Sequence, residues 1–292
     1  MTLPFDGAAY LNDEHCAKLS EAFARNPKAV FLCIDHPSGE LYTYNVNQSG
    51  APWPVPLILV ASKDRPKFES AARSKATLQI SLSGVYMPNI EGRNVIGRLE
   101  RGVGKWLVIS TPVTSWFTST CERGSGIAGF LATARWAAYA LTNVDLQFVA
   151  TSGHEIGHGG MSHFLSNEAP PPEATLAWAH FGSSLACLDP IIQTINSSVS
   201  LASIVDRHSA RVEGMRRVGE HAREGELRNV YDAGYQNFFG MAGEHRLFHT
   251  PADSLAALST ERLVSVVSAF SAILESIAST APKSPPLTRM KG

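Results

Sequence analysis

The stretch F-V-A-T-S-G-H-E-I-G-H-G-G, residues 148–160, carries two readings that cannot both hold. In the first, His154-Glu155-Ile156-Gly157-His158 is an H-E-x-x-H helix. His154 and His158 would then bind zinc from one helix face, with Glu155 as the base. The second starts upstream, where Val144, Leu146, Phe148 and Ala150 alternate with Asp145, Gln147, Val149 and Thr151. That period of two predicts a strand ending near Thr151, with Ser152-Gly153 as its exit and His154-Glu155 in the loop beyond. Side chains leaving a parallel strand at that end project into the crevice that open α/β sheets use for ligands. The glycines at 153, 157, 159 and 160 weigh against a helix, each costing roughly 1 kcal/mol relative to alanine. The strand end is the better-supported reading.

The chain of 292 residues has room for one large domain, or for one domain and a small companion. With 44% hydrophobic residues and a net charge of −1 it has no basic excess, so nucleic-acid binding through bulk charge is not expected. A membrane span needs about 18 consecutive apolar residues, and none occurs. The start, M-T-L-P-F-D, has neither a basic nor an apolar leader region. The four cysteines, at 16, 33, 121 and 187, are far apart and read as reduced thiols of a cytoplasmic protein.

The first ninety residues read as a small α/β unit. Asn12 and Asp13 can cap a helix to about Arg25. Strands are expected at 29–34, 41–46, 57–61 and 76–82, with a helix from Ser62 to about Ala72. His15 and His36 are expected at the surface. Further on, strands at 94–99 and 105–110 flank a turn at 102–104. C-E-R-G-S-G, residues 121–126, leads into a long helix over 127–141, with Glu122 at its dipole-favoured start. A strand over 175–180 again ends in a histidine, His180. Residues 190–200 look strand-like and 205–223 helical. The arginines at 207, 211, 216, 217 and 223 read as a solvated surface, with His208 and His221 beside them. Near the end, His249 precedes Thr250-Pro251-Ala252-Asp253, where Asp253 could orient an imidazole from behind. A final helix is expected over 260–278, capped by Ser259, followed by a disordered tail, 282–292.

In order, N-V-I-G-R-L, S-G-I-A-G-F-L-A-T-A-R, F-V-A-T-S-G-H-E-I-G and F-H-T-P-A-D-S resemble the zinc-dependent aminopeptidases. That family includes the glutamate carboxypeptidases and the catalytically dead transferrin receptor. The resemblance covers residues 90–281. It implies an α/β fold with a mixed central sheet and helices on both faces. Residues 1–89 would be the small α/β unit before it, similar to a short and incomplete protease-associated domain.

The resemblance also implies a ligand set. His249 matches the family's last zinc ligand and Glu155 the ligand Glu that follows the general base. Glu122 falls on the bridging aspartate, and His180 on the aspartate at the next strand end. His154 takes the place of the general-base glutamate, with His158 and Asp253 in supporting positions. The family's H-x-D pair falls on Pro112-Val113-Thr114, which supplies no ordinary zinc ligand. One zinc ion is therefore expected, held by Glu122, Glu155, His180 and His249, with His154 as base. The expected activity is hydrolysis of amide bonds in small peptides or amino-acid conjugates, with no nucleic-acid or membrane partner and with homo-oligomers left open. Two alternatives remain: an inactive relative acting as a binding module, and an H-E-x-x-H protease using His154 and His158.

Overall fold

A computed structural model of the chain describes residues 1–46, 53–81, 83, 90–219 and 225–281. His221, Arg223 and the tail 282–292 lie outside the described residues. Two sheets organise the chain. The first is parallel, with β1 (Thr2–Pro4) beside β2 (Val30–Asp35) and β2 beside β3 (Leu57–Val60). Helix α1 (Asp13–Phe23) starts where Asn12 accepts the His15 N–H, as its cap residue predicts. Helix α2 is Arg65–Arg73.

The second sheet has seven strands: β4 (Val95–Leu99), β5 (Trp106–Pro112), β6 (Asp145–Thr151), β7 (Thr175–Phe181), β8 (Pro190–Ser197), β9 (Arg216–Arg217) and β10 (Phe238–His245). Their spatial order is β4-β6-β5-β7-β10-β8-β9. The centre is parallel, while β4 on β6 and β8 on β10 are antiparallel. The expected mixed sheet with helices on both faces is what forms.

Alternation along the central strands explains the two faces. Leu107, Ile109, Ala177, Ala179 and Phe181 join one core with α3 (Ser125–Ala140), α5 (Ala202–Ser209) and α7 (Thr260–Ala278). Val108 and Trp178 point the other way, into a core with α4 (Gly159–Asn167) and α6 (Gly225–Asp232). Helix α3 lies very close to β7. A Cβ on Gly126 would come 2.6 Å from the Gly182 carbonyl, and one on Gly129 would come 2.9 Å from the Phe181 ring.

Several sequence expectations need correction. The strands at 94–99 and 105–110 form but do not pair with each other, because β6 lies between them. Residues 41–46 are extended yet not a sheet strand. Their N–H groups go elsewhere: Thr43 to the His249 carbonyl, Asn45 to Ala9 and Val46 to Glu155. Residues 76–81 make no strand and are exposed, Leu78 and Ile80 among them. The helix expected over 205–223 ends at Ser209, and Gly214 then turns the chain at φ 75°. His15 and His36 are buried. His15 lies on the inner side of α1, 3.6 Å from an Asp6 oxygen, and His36 stacks on Tyr42.

Candidate functional site

Strand β6 ends at Thr151, and a single 3-10 turn, His154–Ile156, follows it. Gly153 and Gly157, at φ 70° and 96°, bracket that turn and stop it from continuing. His158 itself is left-handed at φ 58°, so the five residues of H-E-x-x-H do not form a helix. The zincin arrangement is thereby ruled out. The His154 and His158 rings do stack, with centroids 4.7 Å apart. Both nitrogens of His158 are nevertheless engaged: Nδ1 with Asn229 Oδ1 at 2.9 Å and Nε2 with the Tyr10 hydroxyl at 3.1 Å. Asn229 donates through Nδ2 to Ser162, so its Oδ1 accepts and His158 Nδ1 carries the proton.

The other residues named from the sequence fall into two groups at the C-terminal end of the sheet. In the first, Glu122 sits in the π-helical turn Thr120–Gly124 that opens into α3. Ser119 donates to its Oε2 at 2.6 Å, and His249 Nε2 stands 3.4 Å from its Oε1. His249 is itself held by Nδ1, which donates to the Thr43 carbonyl at 3.0 Å. Burial pushes the Glu122 carboxyl up, but His249, Arg123 and Ser119 outweigh it and hold the group at about 2. The residue that joins this group is one the sequence analysis passed over. Arg123 Nη2 donates to Glu122 Oε1 and to Glu155 Oε1, at 3.2 Å each. Its Nε donates to the Thr114 carbonyl at 2.8 Å. Side chains of Glu122, Arg123 and Glu155 are all nearly inaccessible.

The second group surrounds Glu226 on α6, also missed from the sequence. It is fully buried, and Thr151 donates to its oxygens at 2.7 and 2.8 Å. His154 Nδ1 is 3.4 Å away. Burial raises the Glu226 carboxyl; His154, then His180 and Thr151, bring it down to about 2. His180, at the end of β7, pairs through Nδ1 with Ser110 Oγ at 2.8 Å. Trp178 Nε1 donates to that same oxygen at 2.7 Å. Burial pushes the His180 imidazole down to about 4.

Asp253 does not orient His249. Its two oxygens accept the N–H groups of Cys121 and Glu122, at 2.9 Å each, and so fix the turn that carries Glu122.

The zinc that the resemblance implies does not fit these residues. Between Glu122 and Glu155 the balancing charge is the Arg123 guanidinium, and its Nη1 is buried there with no hydrogen-bond partner. Residues 112 and 114 are proline and threonine. The first unit also covers the crevice. Thr43 and Val46 bond to His249 and Glu155, Tyr10 to His158, and Trp116 Nε1 donates to Asn45 Oδ1 at 2.8 Å.

No protein-family model matches the chain, and no curated protein does. Solved structures do. BSAP, a zinc aminopeptidase from Bacillus subtilis, superposes with a TM-score of 0.65 at 16% identity, over 89% of this chain and 66% of its own. An aminopeptidase from Aneurinibacillus sp. strain AM-1 gives 0.58 at 14% identity, over 97% and 69%. Porphyromonas gingivalis glutaminyl cyclase gives 0.54 at 12%, over 63% and 77%. The chain thus spans about two thirds of the length of the aminopeptidases it matches. At these identities what is shared is architecture: the chain has the fold of the zinc aminopeptidases.

Proposed function

We propose that this chain is a non-hydrolytic protein of aminopeptidase fold that acts by binding, with its own guanidinium where a zinc enzyme would hold a cation. The observation that carries this reading is Arg123, buried and donating to both Glu122 and Glu155 at 3.2 Å. A buried carboxylate pair needs a compensating positive charge, and a fixed side chain supplies it without exchange. Closure of the crevice by Tyr10 and residues 43–46 points the same way, since a substrate would have to displace them. Under this reading the first unit acts as a cover.

A second reading, hydrolysis of amide bonds in small peptides or amino-acid conjugates, also has a specific support. His154 beside the buried Glu226 is an imidazole–carboxylate pair of the kind that serves as a general base. The fold neighbours named as aminopeptidases lend it weight. A screen of dipeptides and acyl-amino acids, with and without added zinc, separates the two. The binding reading expects no turnover above buffer in either condition. Zinc-stimulated turnover abolished by Glu155→Gln would overturn it. Zinc-independent turnover lost in His154→Ala would establish the second reading instead.

A further inference from the structure

Behind the Glu122 turn, Cys121, Cys187 and His245 offer two sulfurs and a ring nitrogen that all lie within 4.8 Å of one another. Among the described residues this is the one group of three histidine, cysteine or acidic side chains so gathered. They come from distant segments: the turn Thr120–Gly124, the loop after β7, and the last residue of β10. All three are buried.

Buried cysteines alone would mean little, because free cysteine packs as a small apolar residue. His245 is what that account leaves unexplained. It is only 3% exposed, and its Nε2 has no hydrogen-bond partner although Nδ1 meets Ser184 Oγ at 3.0 Å. Buried polar atoms are nearly always satisfied, so an orphaned imidazole nitrogen beside two thiols calls for a partner. Asp253 Oδ1 is 3.5 Å from that nitrogen. The two sulfurs lie within 4.8 Å of each other, and Cys187 Sγ meets the Ser184 carbonyl at 3.2 Å.

We propose that Cys121, Cys187 and His245 form a structural site for a soft divalent cation of the zinc class. Zinc–sulfur bonds of about 2.3 Å and zinc–nitrogen bonds of about 2.0 Å set neighbouring donors roughly 3.5 Å apart. The side chains, already within 4.8 Å of one another, therefore need close in by no more than about an ångström on binding. Thiolates select zinc or copper(I) over calcium and magnesium, and the burial of all three donors suits a structural cation rather than one open to solvent. Both thiols lose their protons to the solvent on binding, so affinity falls as pH falls. The cation would tie β10 and the loop after β7 to the turn that carries Glu122 and Arg123. It would brace that turn from behind, whatever the crevice itself does.

Cobalt(II) is the probe, because bound thiolate gives a charge-transfer band in the near ultraviolet that carboxylate and imidazole ligands do not. The expected result is one equivalent of tetrahedral cobalt with that band in the full chain, displaced by zinc. Cys121→Ser and Cys187→Ser should each diminish or abolish the band, whereas Glu155→Gln and His249→Ala should retain it, with folding followed by circular dichroism. If the serine variants do not fold, the wild-type spectrum decides by itself. A folded wild type that shows no such band overturns the proposal. So does an equivalent of cobalt that survives both cysteine changes and is lost in Glu155→Gln.

Discussion

The crevice has two halves that solve one problem in different ways. Each buries carboxylate where the sheet ends, Glu122 with Glu155 on one side and Glu226 on the other. The first half is held by one guanidinium shared between two carboxylates, a cation that stays charged at any pH a folded protein meets. The second is surrounded by imidazoles, His154 and His180 with His158 stacked on His154, and burial holds His180 and His158 below the ordinary imidazole range. A fixed cation makes a permanent structural lock. A ring of histidines makes a polar cluster whose stability depends on acidity.

The largest effect should come from breaking the lock. Removing one partner of a buried ion pair leaves the other uncompensated, at a cost of about 3–5 kcal/mol. Arg123→Ala strands Glu122 and Glu155 together, so a loss of that size is expected in urea-melt midpoints at neutral pH. Arg123→Lys should recover only part of it, because an ammonium lacks the planar fork that reaches the Thr114 carbonyl and both carboxylates. A loss under about 1 kcal/mol in the alanine variant would mean that the pair is open to water and is no lock.

Much of this was legible in the chain, and what was not has a physical reason. Period-two alternation located the end of β6 at Thr151, and the glycines around His154 correctly disfavoured a helix. The stretches holding Glu122, Glu155 and His249 could be read because each sits in a short local pattern. Arg123 stood beside Glu122 in C-E-R-G-S-G, but only the fold shows that its side chain turns back across to Glu155. Glu226 had no signal. Its partner Thr151 lies 75 residues away, and the segment before it has no clean periodicity. Cys121, Cys187 and His245 likewise meet only through tertiary structure. Residues 41–46 misled because an extended, apolar-rich segment looks like a strand even when its hydrogen bonds run to loops.

Acid titration should separate the halves next. His180 is depressed from 6.5 to about 4 by burial, so the unfolded chain takes up its proton first as pH falls. Its contribution is therefore complete above pH 6.5 and is lost between 6.5 and about 4, on the order of 2–3 kcal/mol. His36, also depressed to about 4 by burial, adds to the loss in the same window. Glu122 and Glu226 are both held near 2, so their contributions persist down to about 4.5 and fade below it. Urea melts across this range should fall in two stages. His180→Gln should flatten the upper stage by the crevice's share, and His36→Asn by the share of the first unit. An upper stage unchanged in His180→Gln would show that the imidazole half does not titrate as a buried cluster.

The smallest effect tests whether the halves are separate at all. Tyr10 reaches from the first unit to His158 Nε2 at 3.1 Å, and its hydroxyl is pushed up by burial. With Nδ1 of His158 already donating to Asn229, Tyr10 is the donor to Nε2. Tyr10→Phe removes that donor and leaves an acceptor partly buried, which should cost about 0.5–1.5 kcal/mol. The change lies on the imidazole side, while the guanidinium bonds of Arg123 stay intact. If the halves are independent, Tyr10→Phe and Arg123→Lys should add to within about 0.3–0.5 kcal/mol in a double-mutant cycle. A larger coupling would mean that the cover formed by the first unit binds the halves into one network. Arg123 would then be locking the cover as well as the carboxylates, and the two-part description of the crevice would fail.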